Sequence, residues 1–228
     1  GVKVAVVDTG VSAVQNDLPA NQILAGTDTS GAAGNGRNDG HGHGTHVAGT
    51  IVASVGNGIG TAGLAPAVSI IPVKVLSDSG SGSSVGVANG IRWATDNGAD
   101  IISMSLGGGY SSTIAVQVAY AIQNGVTVIA AAGNERAQGS PASYPAALPG
   151  VLAVAATDSN NNVANFSNAG SYVDISAPGV GIWSTLPNNT YAAWSGTSMA
   201  TPHVSAVAAL VLSRAAEQHV AVSVDMLL

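Results

Sequence analysis

The chain has 228 residues, of which 46% are hydrophobic and only 8% are charged, and its formal net charge is −6 at pH 7. These values exclude a disordered chain and argue against nucleic-acid binding, because only six lysines and arginines are present to neutralise phosphates. Cysteine is absent, which excludes disulfides and thiolate sites, and the longest uncharged apolar stretch (199–212) is too short for a membrane span.

Short, β-branched apolar runs alternate along the chain with stretches of helical pattern. The runs are continuously apolar, which is typical of strands buried on both faces of a sheet. They predict strands at residues 2–7, 70–75, 101–104, 126–131 and 151–156. Helices are predicted at residues 45–54, 85–96, 114–123 and 198–214. This alternation predicts an α/β fold with a doubly wound, mostly parallel sheet and helices on both faces, whose chemistry lies beyond the carboxyl ends of the strands.

Neither end of the sequence resembles a natural terminus. The chain enters its first predicted core strand at Val2 and ends in an apolar tail at residues 220–228. We expect it to be a processed or trimmed piece of a longer product, because a free apolar end is normally frayed or buried. No charge run, repeat or polar linker divides residues 1–228, which are therefore expected to form a single domain.

A carboxylate follows the first predicted strand directly. Asp8 ends the run Val-Ala-Val-Val-Asp and precedes Thr9 and the turn residue Gly10. Taken alone, an aspartate here is most simply a turn or capping residue. Its position at the carboxyl end of a core strand is also where this class of fold carries its functional groups.

Three histidines lie within six positions, at His41, His43 and His46. One interpretation is a zinc site, but a further ligand at the spacing of a catalytic zinc motif is missing. The other is a general base at the start of a helix, beside glycines that let a substrate backbone approach closely. We interpret His43 as the base and His46, on the helix, as a hydrogen-bonded core histidine.

Ser198 lies in the first turn of the last predicted helix, where free backbone N–H groups favour developing negative charge. A serine there can simply cap the helix. Thr197 is available for that role, however, so Ser198 is a candidate nucleophile. Asn134 follows the strand predicted at 126–131, and its amide is either part of a turn or a hydrogen-bond donor to an oxyanion.

The order Asp8, His43, Ser198 along the chain is that of the subtilisin type of catalytic triad. Five motifs extend the resemblance over residues 8–202. They are Val7-Asp8-Thr9-Gly10, His43-Gly-Thr-His46-Val-Ala-Gly49, Ser105-Leu-Gly-Gly108, Ala132-Gly-Asn134 and Gly196-Thr-Ser198-Met-Ala-Thr-Pro202. Because of these motifs, the chain resembles the catalytic domain of a subtilisin-like serine protease (a subtilase). Within that family it resembles the bacterial subtilisins and the thermitase type.

The resemblance implies a serine endopeptidase that hydrolyses peptide bonds through an acyl-enzyme. It makes Ser198 the nucleophile, and His43 the general base and then the general acid. Asp8 would orient the imidazole and stabilise its cation. The side-chain amide of Asn134 would donate to the oxyanion, alongside the backbone N–H of Ser198.

The same motifs imply roles for three further residues. His46 and His203 correspond to structural histidines of the family rather than to metal ligands. Met199 follows the nucleophile, so its thioether is expected to be exposed to oxidants, and its sulfoxide to slow the enzyme.

The resemblance also implies a cleft in which substrate adds as a strand between residues 81–83 and 105–107. Small residues around the pocket for the side chain before the cut imply a preference for large apolar or aromatic residues, and Glu135 at the rim would also tolerate a basic one. Ser84 replaces an aromatic lid of many subtilisins, so a second pocket should be open. The implied substrate-binding residues are Ser81, Gly82, Ser83, Val87, Ser105, Leu106, Gly107, Ala131, Gly133, Ala142 and Ser143.

Calcium is the implied cofactor, because the loop at 55–61 resembles the calcium loop of the family. Asp17 would supply a carboxylate and Asn57 a side-chain oxygen, which are hard ligands suited to calcium. Backbone carbonyls would come from Val55, Ile59 and Thr61. The alternative is an ordinary glycine-rich loop. The N-terminal arm of the family has no counterpart here, which removes one ligand and is expected to weaken the site.

The C-terminal helix and strand of the family also have no counterpart in this sequence. An active endopeptidase therefore competes with a truncated, catalytically impaired fragment that acts only as a protein-binding module. For the active enzyme, the expected partners are polypeptide substrates and a propeptide or protein inhibitor, with no nucleic acid and no membrane. We also expect the protein to be a monomer that is secreted and works outside the cell.

Overall fold

The computed structural model of the protein describes residues 1–31 and 33–220. The strands in these ranges are β1 (Lys3–Asp8), β2 (Thr27–Asp28), β3 (Ser69–Lys74), β4 (Ile101–Met104), β5 (Thr127–Ala131), β6 (Val151–Thr157), β7 (Ile175–Pro178), β8 (Ile182–Leu186) and β9 (Thr190–Trp194). The α-helices are α1 (His43–Val52), α2 (Ser84–Asp96), α3 (Ser112–Gln123) and α4 (Thr197–Glu217). Residues 221–228, which hold most of the apolar tail, lie outside the described residues.

Seven strands form one parallel sheet in the order β2-β3-β1-β4-β5-β6-β7. From β1 the chain forms the edge strand β2 and then β3, which lies between β2 and β1. It then crosses over β1 to β4 and continues through β5 and β6 to β7. The strand order thus reverses at β1, and ligands of such sheets bind at the carboxyl ends of the strands beside this point. The predicted α/β class, with a doubly wound and mostly parallel sheet, is confirmed.

Strand β1 shows why its apolar run is continuous. Val4 and Val6 belong to one hydrophobic core, which the sheet shares with α1 and α4. Ala5 and Val7 point to the other face and belong to a second core shared with α2 and α3. Both faces of the strand are buried, so successive side chains are apolar irrespective of which way they point.

The structure adds elements that the apolar runs did not predict. Strand β2 has only two residues, and three of the four residues in β7 are exposed, so neither carries an apolar run. The antiparallel hairpin β8–β9 is joined by a short turn in which Asn188 and Asn189 have positive φ, and asparagine tolerates this conformation. Among the described helices, none combines the length and the apolarity that crossing a membrane requires.

Candidate active site

The side chains predicted to do chemistry meet at the carboxyl end of the sheet. Asp8 is the last residue of β1, at the reversal point, and His43 is the first residue of α1. Asn134 follows β5, and Ser198 is the second residue of α4. His43, Asn134 and Ser198 line one pocket. Residues up to 190 positions apart in sequence are thus brought to one cleft by the strand order.

Asp8 and His43 form the best-defined contact of the site. The Nδ1 atom of His43 lies 2.8 Å from Oδ1 and 2.9 Å from Oδ2 of Asp8, which is fully buried. The backbone N–H of Thr9 also donates to Oδ1, at 2.7 Å. Burial acts to lower the pKa of His43, but the charge and hydrogen bond of Asp8, and then the charge of Asp39, raise it above its ordinary value. The arrangement favours an imidazolium, which is the state a general base reaches when it takes a proton.

Ser198 is held from the opposite side of the cleft. Its hydroxyl donates to the backbone carbonyl of Ser105 at 3.1 Å. Ser198 and His43 both lie in the described part of the chain, and no hydrogen bond joins their side chains there. The Oγ of Ser105 in turn donates to the carbonyl of Ser198 at 2.7 Å. That carbonyl would otherwise pair with the N–H of residue 202, which is Pro202 and has none, so Ser105 supplies the missing helix bond.

The amide of Asn134 is oriented by the start of α4. Its Oδ1 accepts the backbone N–H of Thr197 at 2.9 Å and the hydroxyl of Thr197 at 3.1 Å. This leaves Nδ2 to donate, and the described residues offer it no acceptor. The N–H of Ser198 likewise has no acceptor within the described ranges. Two free donors therefore flank the nucleophile candidate, which is the composition of an oxyanion hole.

The expectation that Thr197 caps the last helix is wrong. The N-cap position is Gly196, which has no side chain, and Thr197 is already helical. The hydroxyl of Thr197 instead bridges Asn134 and the N–H of Gly133, which donates to it at 3.2 Å. The threonine thus acts on the orientation of the amide rather than on the end of the helix.

His46 and His203 are buried or partly buried, as expected of structural histidines. The Nε2 of His46 lies 3.1 Å from the carbonyl of Ala192, and its ring stacks on Trp194 with 4.7 Å between centroids. Burial lowers the pKa of His46 to about 4. The Nδ1 of His203 lies 2.9 Å from the carbonyl of Met199. Within residues 1–31 and 33–220, no three His, Asp or Glu side chains are grouped so as to hold a metal ion.

The expected exposure of Met199 is wrong. Although Met199 follows Ser198 and touches the pocket that holds it, only 3% of the residue is accessible. The first turn of α4 directs this side chain into the core between α4 and the sheet. The position of a side chain on a helix, which the sequence order does not reveal, decides its exposure.

Two adjoining pockets form the substrate-sized cleft. The first, about 490 Å³, is lined by Leu106, Gly107, Ala131, Gly133, Ala142 and Ser143 of the predicted set, together with Asn134, Glu135 and Ser198. The second is lined by Ser81, Gly82, Val87, Ser105, Leu106 and Gly107 of the predicted set, and also by Ser84, Leu76, Ile114 and Tyr144. Leu76, Ile114 and Tyr144 were missed because they lie outside the motifs.

Two residues of the predicted cleft make hydrogen bonds within the protein that the motifs did not reveal. Ser83 is the N-cap of α2, where its hydroxyl accepts the N–H of Gly86 at 3.0 Å, and its side chain does not line either pocket. Glu135 does line the first pocket, but its Oε2 accepts the N–H of Asn134 at 2.8 Å and the Nδ2 of Asn168 at 3.1 Å. Its carboxylate is therefore partly engaged by the protein.

Asp17 and the loop at 55–61 lie together and do not line either pocket of the cleft. Asp17 is fully buried, and its oxygens accept the Nδ2 of Asn57 and the N–H of Thr61, both at 3.1 Å. The Oδ1 of Asn57 accepts the N–H of Ile59 at 3.2 Å. A Cβ at Gly60, which has positive φ, would overlap with the carboxylate. No lysine, arginine or histidine in the described ranges forms an ion pair with Asp17.

Comparison with known proteins gives one consistent result. The subtilase family, peptidase S8, matches residues 1–227. Subtilisin DY of Bacillus licheniformis is 49% identical over 93% of this chain and 77% of its own length, and thermitase of Thermoactinomyces vulgaris is 49% identical over 94% and 76%. A crystal structure of a cold adapted subtilisin-like serine proteinase superposes with a TM-score of 0.88 at 39% identity, covering 100% of this chain and 79% of the other. Some similar proteins are longer, and the chain spans 56% of their length.

Proposed function

Since the chain belongs to the subtilase family of serine endopeptidases, we propose that it cleaves peptide bonds with Ser198 as nucleophile, His43 as base and Asp8 as the group that orients His43. The observation that carries this assignment is the pair of contacts between Nδ1 of His43 and the buried carboxylate of Asp8. They fix the imidazole with Nε2 free, as the base of a triad must be.

In the proposed reaction, Oγ of Ser198 attacks the carbonyl carbon of the peptide and its proton passes to Nε2 of His43. For this the hydroxyl must leave the carbonyl of Ser105 and turn towards His43. Negative charge develops on the peptide oxygen, where the free Nδ2 of Asn134 and the N–H of Ser198 stabilise it. The imidazolium then protonates the leaving amine as the C–N bond breaks, which leaves the acyl-enzyme. Water attacks the acyl carbon and gives its proton to His43, which returns it to Oγ of Ser198 as the ester bond breaks and the acid product leaves.

The lining of the first pocket supports a preference for large apolar or aromatic residues before the cut. Gly107, Ala131 and Ala142 contribute little bulk to it. Glu135 at the rim would add tolerance for a basic residue, reduced by its bonds to Asn134 and Asn168. Val87 and Leu106 would accept a second apolar side chain further along the substrate.

Hydrolysis of short peptides by the purified chain tests the proposal. We expect peptides with Phe or Leu before the cut to be cleaved faster than peptides with Asp there, and Ser198→Ala to lose the activity. Casein hydrolysis by the same two proteins extends the test from short peptides to a protein substrate. Equal rates for the parent and Ser198→Ala would contradict the proposal and favour a fragment that only binds proteins.

We further propose that Asp17 and the loop at 55–61 hold a structural calcium ion. The donor set fits the ion, because Asp17 is a buried carboxylate without a cationic partner among the described residues, and a hard cation compensates such a charge. The ligands would be side-chain oxygens of Asp17 and Asn57 and backbone carbonyls of Val55, Ile59 and Thr61. When bound, calcium supplies charge compensation and ties the loop down; it takes no part in the peptide-bond chemistry.

Thermal unfolding of the Ser198→Ala chain tests the calcium site without autolysis. We expect EDTA to lower Tm and added calcium to restore it, whereas Asp17→Asn should have a Tm that no longer responds to calcium. Calorimetric titration should find one calcium ion per chain. An identical Tm with EDTA and with calcium would contradict the calcium site and favour the alternative of an ordinary glycine-rich loop.

We propose that the chain is a single catalytic domain that is secreted, acts outside the cell as a monomer, and is controlled by a propeptide or a protein inhibitor. The similarity to bacterial subtilisins supports these points.

A further inference from the structure

A buried carboxylate outside the proposed triad is hydrogen-bonded to the two chain segments that carry Asp8 and His43. Asp39 is only 3% accessible, and it accepts five hydrogen bonds. Its Oδ1 accepts the hydroxyl of Thr9 at 2.8 Å and the N–H groups of His41 and Gly42 at 3.1 and 2.7 Å. Its Oδ2 accepts the N–H of Thr45 at 2.9 Å and the hydroxyl of Thr45 at 2.7 Å.

The donors are the chain neighbours of the proposed dyad. Thr9 follows Asp8, and Gly42 and Thr45 flank His43 at the start of α1. The N-cap of α1 is Gly42, which has no side chain, so Asp39 satisfies the free N–H of the third helical residue in its place. A carboxylate is also favourable at this end of a helix, where the N–H groups carry partial positive charge.

Thr9 completes the link between the strand and the helix. Its hydroxyl donates to Asp39 and accepts the N–H of Gly44 at 2.9 Å. The end of β1, which carries Asp8, is thereby joined to the helix start that carries His43. Lys74, also buried, donates to the carbonyl of Thr9 at 2.6 Å and is itself paired with Asp78. The backbone on both sides of the Asp8–His43 pair is thus fixed by buried polar groups outside the proposed triad.

We propose that Asp39 is a positioning residue of this active site: it fixes the start of α1 against the end of β1, and its charge favours the imidazolium that His43 forms during catalysis. The inference rests on the proposed function of the triad. Asp39 does not contact the reacting atoms, so its effect passes through the orientation and the protonation of His43.

Within the described part of the chain, four charged or titratable side chains face His43. Asp8 faces it from β1, Asp39 and His41 from the loop before α1, and His46 from α1 itself. Trp194 of β9 stacks on the ring at 6.2 Å and carries no charge. With Asp8 in place, Asp39 is the second negative charge that raises the pKa of His43. Its removal should therefore lower that pKa.

NMR titration of the His43 imidazole tests this, in the Ser198→Ala chain to prevent autolysis. We expect Asp39→Asn to lower the pKa of His43, because it removes a negative charge that favours the imidazolium. The control is Asp158→Asn, which removes an exposed carboxylate that also accepts backbone N–H groups, and it should leave the pKa unchanged. An unchanged pKa in folded Asp39→Asn would overturn the proposal. Because the titration needs no activity, an inactive parent chain would refute the proposed function alone.

A pair of Thr9 variants covers the case in which Asp39→Asn does not fold. In the active chain, Thr9→Val removes the hydroxyl that links the end of β1 to Asp39 and to the start of α1. We expect kcat to fall about tenfold with KM within twofold, which corresponds to the loss of roughly one hydrogen bond in the transition state. Thr9→Ser keeps the hydroxyl and should restore most of kcat. Equal values of kcat in Thr9→Val and the parent, or an equal loss in Thr9→Ser, would count against the proposal.

Discussion

The two halves of the active site are built differently. On the strand side, His43 is held by both oxygens of Asp8, and the surrounding backbone is fixed by a second buried carboxylate, Asp39. On the helix side, the backbone of Ser198 is fixed by Ser105, but its hydroxyl donates away from His43. In the proposed mechanism, His43 must bear a charge and is already oriented, whereas the proposed nucleophile, Ser198, needs only to rotate about one bond. Such contacts commonly tighten only when substrate is bound.

The largest loss of activity is expected from a substitution at Asp8, on the strand side of the site. Asp8→Asn should keep the shape of the site while removing the charge and allowing the wrong tautomer of His43. We expect kcat to fall by about 10⁴-fold, the scale already established for this position in serine proteases including subtilisins, with little change in KM. Steady-state kinetics on a peptide substrate measures both constants. The matched control is Asp158→Asn, and a loss of less than tenfold in Asp8→Asn would contradict the assigned role.

A smaller loss is expected from the helix side. Asn134→Ala removes the free Nδ2 donor, and kcat should fall by about 10² to 10³-fold, the range known for the corresponding donor of subtilisin, while KM stays similar. Thr197→Val removes one bond that orients the amide and should cost much less. A rise in KM without a fall in kcat would indicate that Asn134 binds substrate in the ground state rather than the oxyanion.

Lowering the pH should change the contributions of His43 and His46 to folding stability in opposite directions. The pKa of His43 is raised in the folded chain, so its contribution to stability is present below its unfolded pKa and lost as pH rises through the folded pKa. The pKa of His46 is lowered to about 4 by burial, so the unfolded chain binds the proton first and stability falls between pH 6.5 and 4. The His46 part amounts to roughly 3 kcal/mol.

Urea unfolding of the Ser198→Ala chain at pH 7 and pH 4 measures this dependence. His46→Gln keeps a donor for the carbonyl of Ala192 but does not titrate, so it should lose less stability than the parent between these two pH values. The same pH dependence in both chains would show that protonation of His46 does not oppose folding.

The smallest effect is expected from breaking the hydrogen bond between Ser105 and the carbonyl of Ser198. Ser105→Ala removes the donor that replaces the missing N–H of Pro202, leaving the carbonyl of Ser198 without its partner. We expect about 1 kcal/mol of lost stability and a loss of kcat of only a few-fold. Thermal unfolding and kinetics of Ser105→Ala and Ser105→Thr test it, since threonine keeps the hydroxyl. A hundredfold loss of kcat would mean that Ser105 has a more direct role.

The difference between the halves also marks what the sequence could reveal. The position of Asp8 at a strand end, and of His43 and Ser198 at helix starts, follows from local patterns and motif order. The direction of the Ser198 hydroxyl, the burial of Met199 and the hydrogen bonds of Asp39 depend on how separate elements pack. Asp39 carried no recognisable motif, because its donors are mostly backbone N–H groups that any sequence provides.

The hairpin β8–β9 illustrates the same limit in the fold. Its strands are short and partly exposed, so no continuous apolar run predicted them. Strand β9 nevertheless supplies Trp194, which stacks on His46 and lies beside His43. The buried parallel strands, by contrast, were predicted to within one or two residues because both of their faces must be apolar.

Labelling with a fluorophosphonate, followed by mass mapping of the modified peptide, tests the central claim most directly. The reagent reacts covalently with a serine that is activated by a base and an oxyanion hole. We predict one label per chain, on Ser198, accompanied by complete loss of peptidase activity, and no label in Ser198→Ala. A label on another residue, or full activity after saturation with the reagent, would contradict the account.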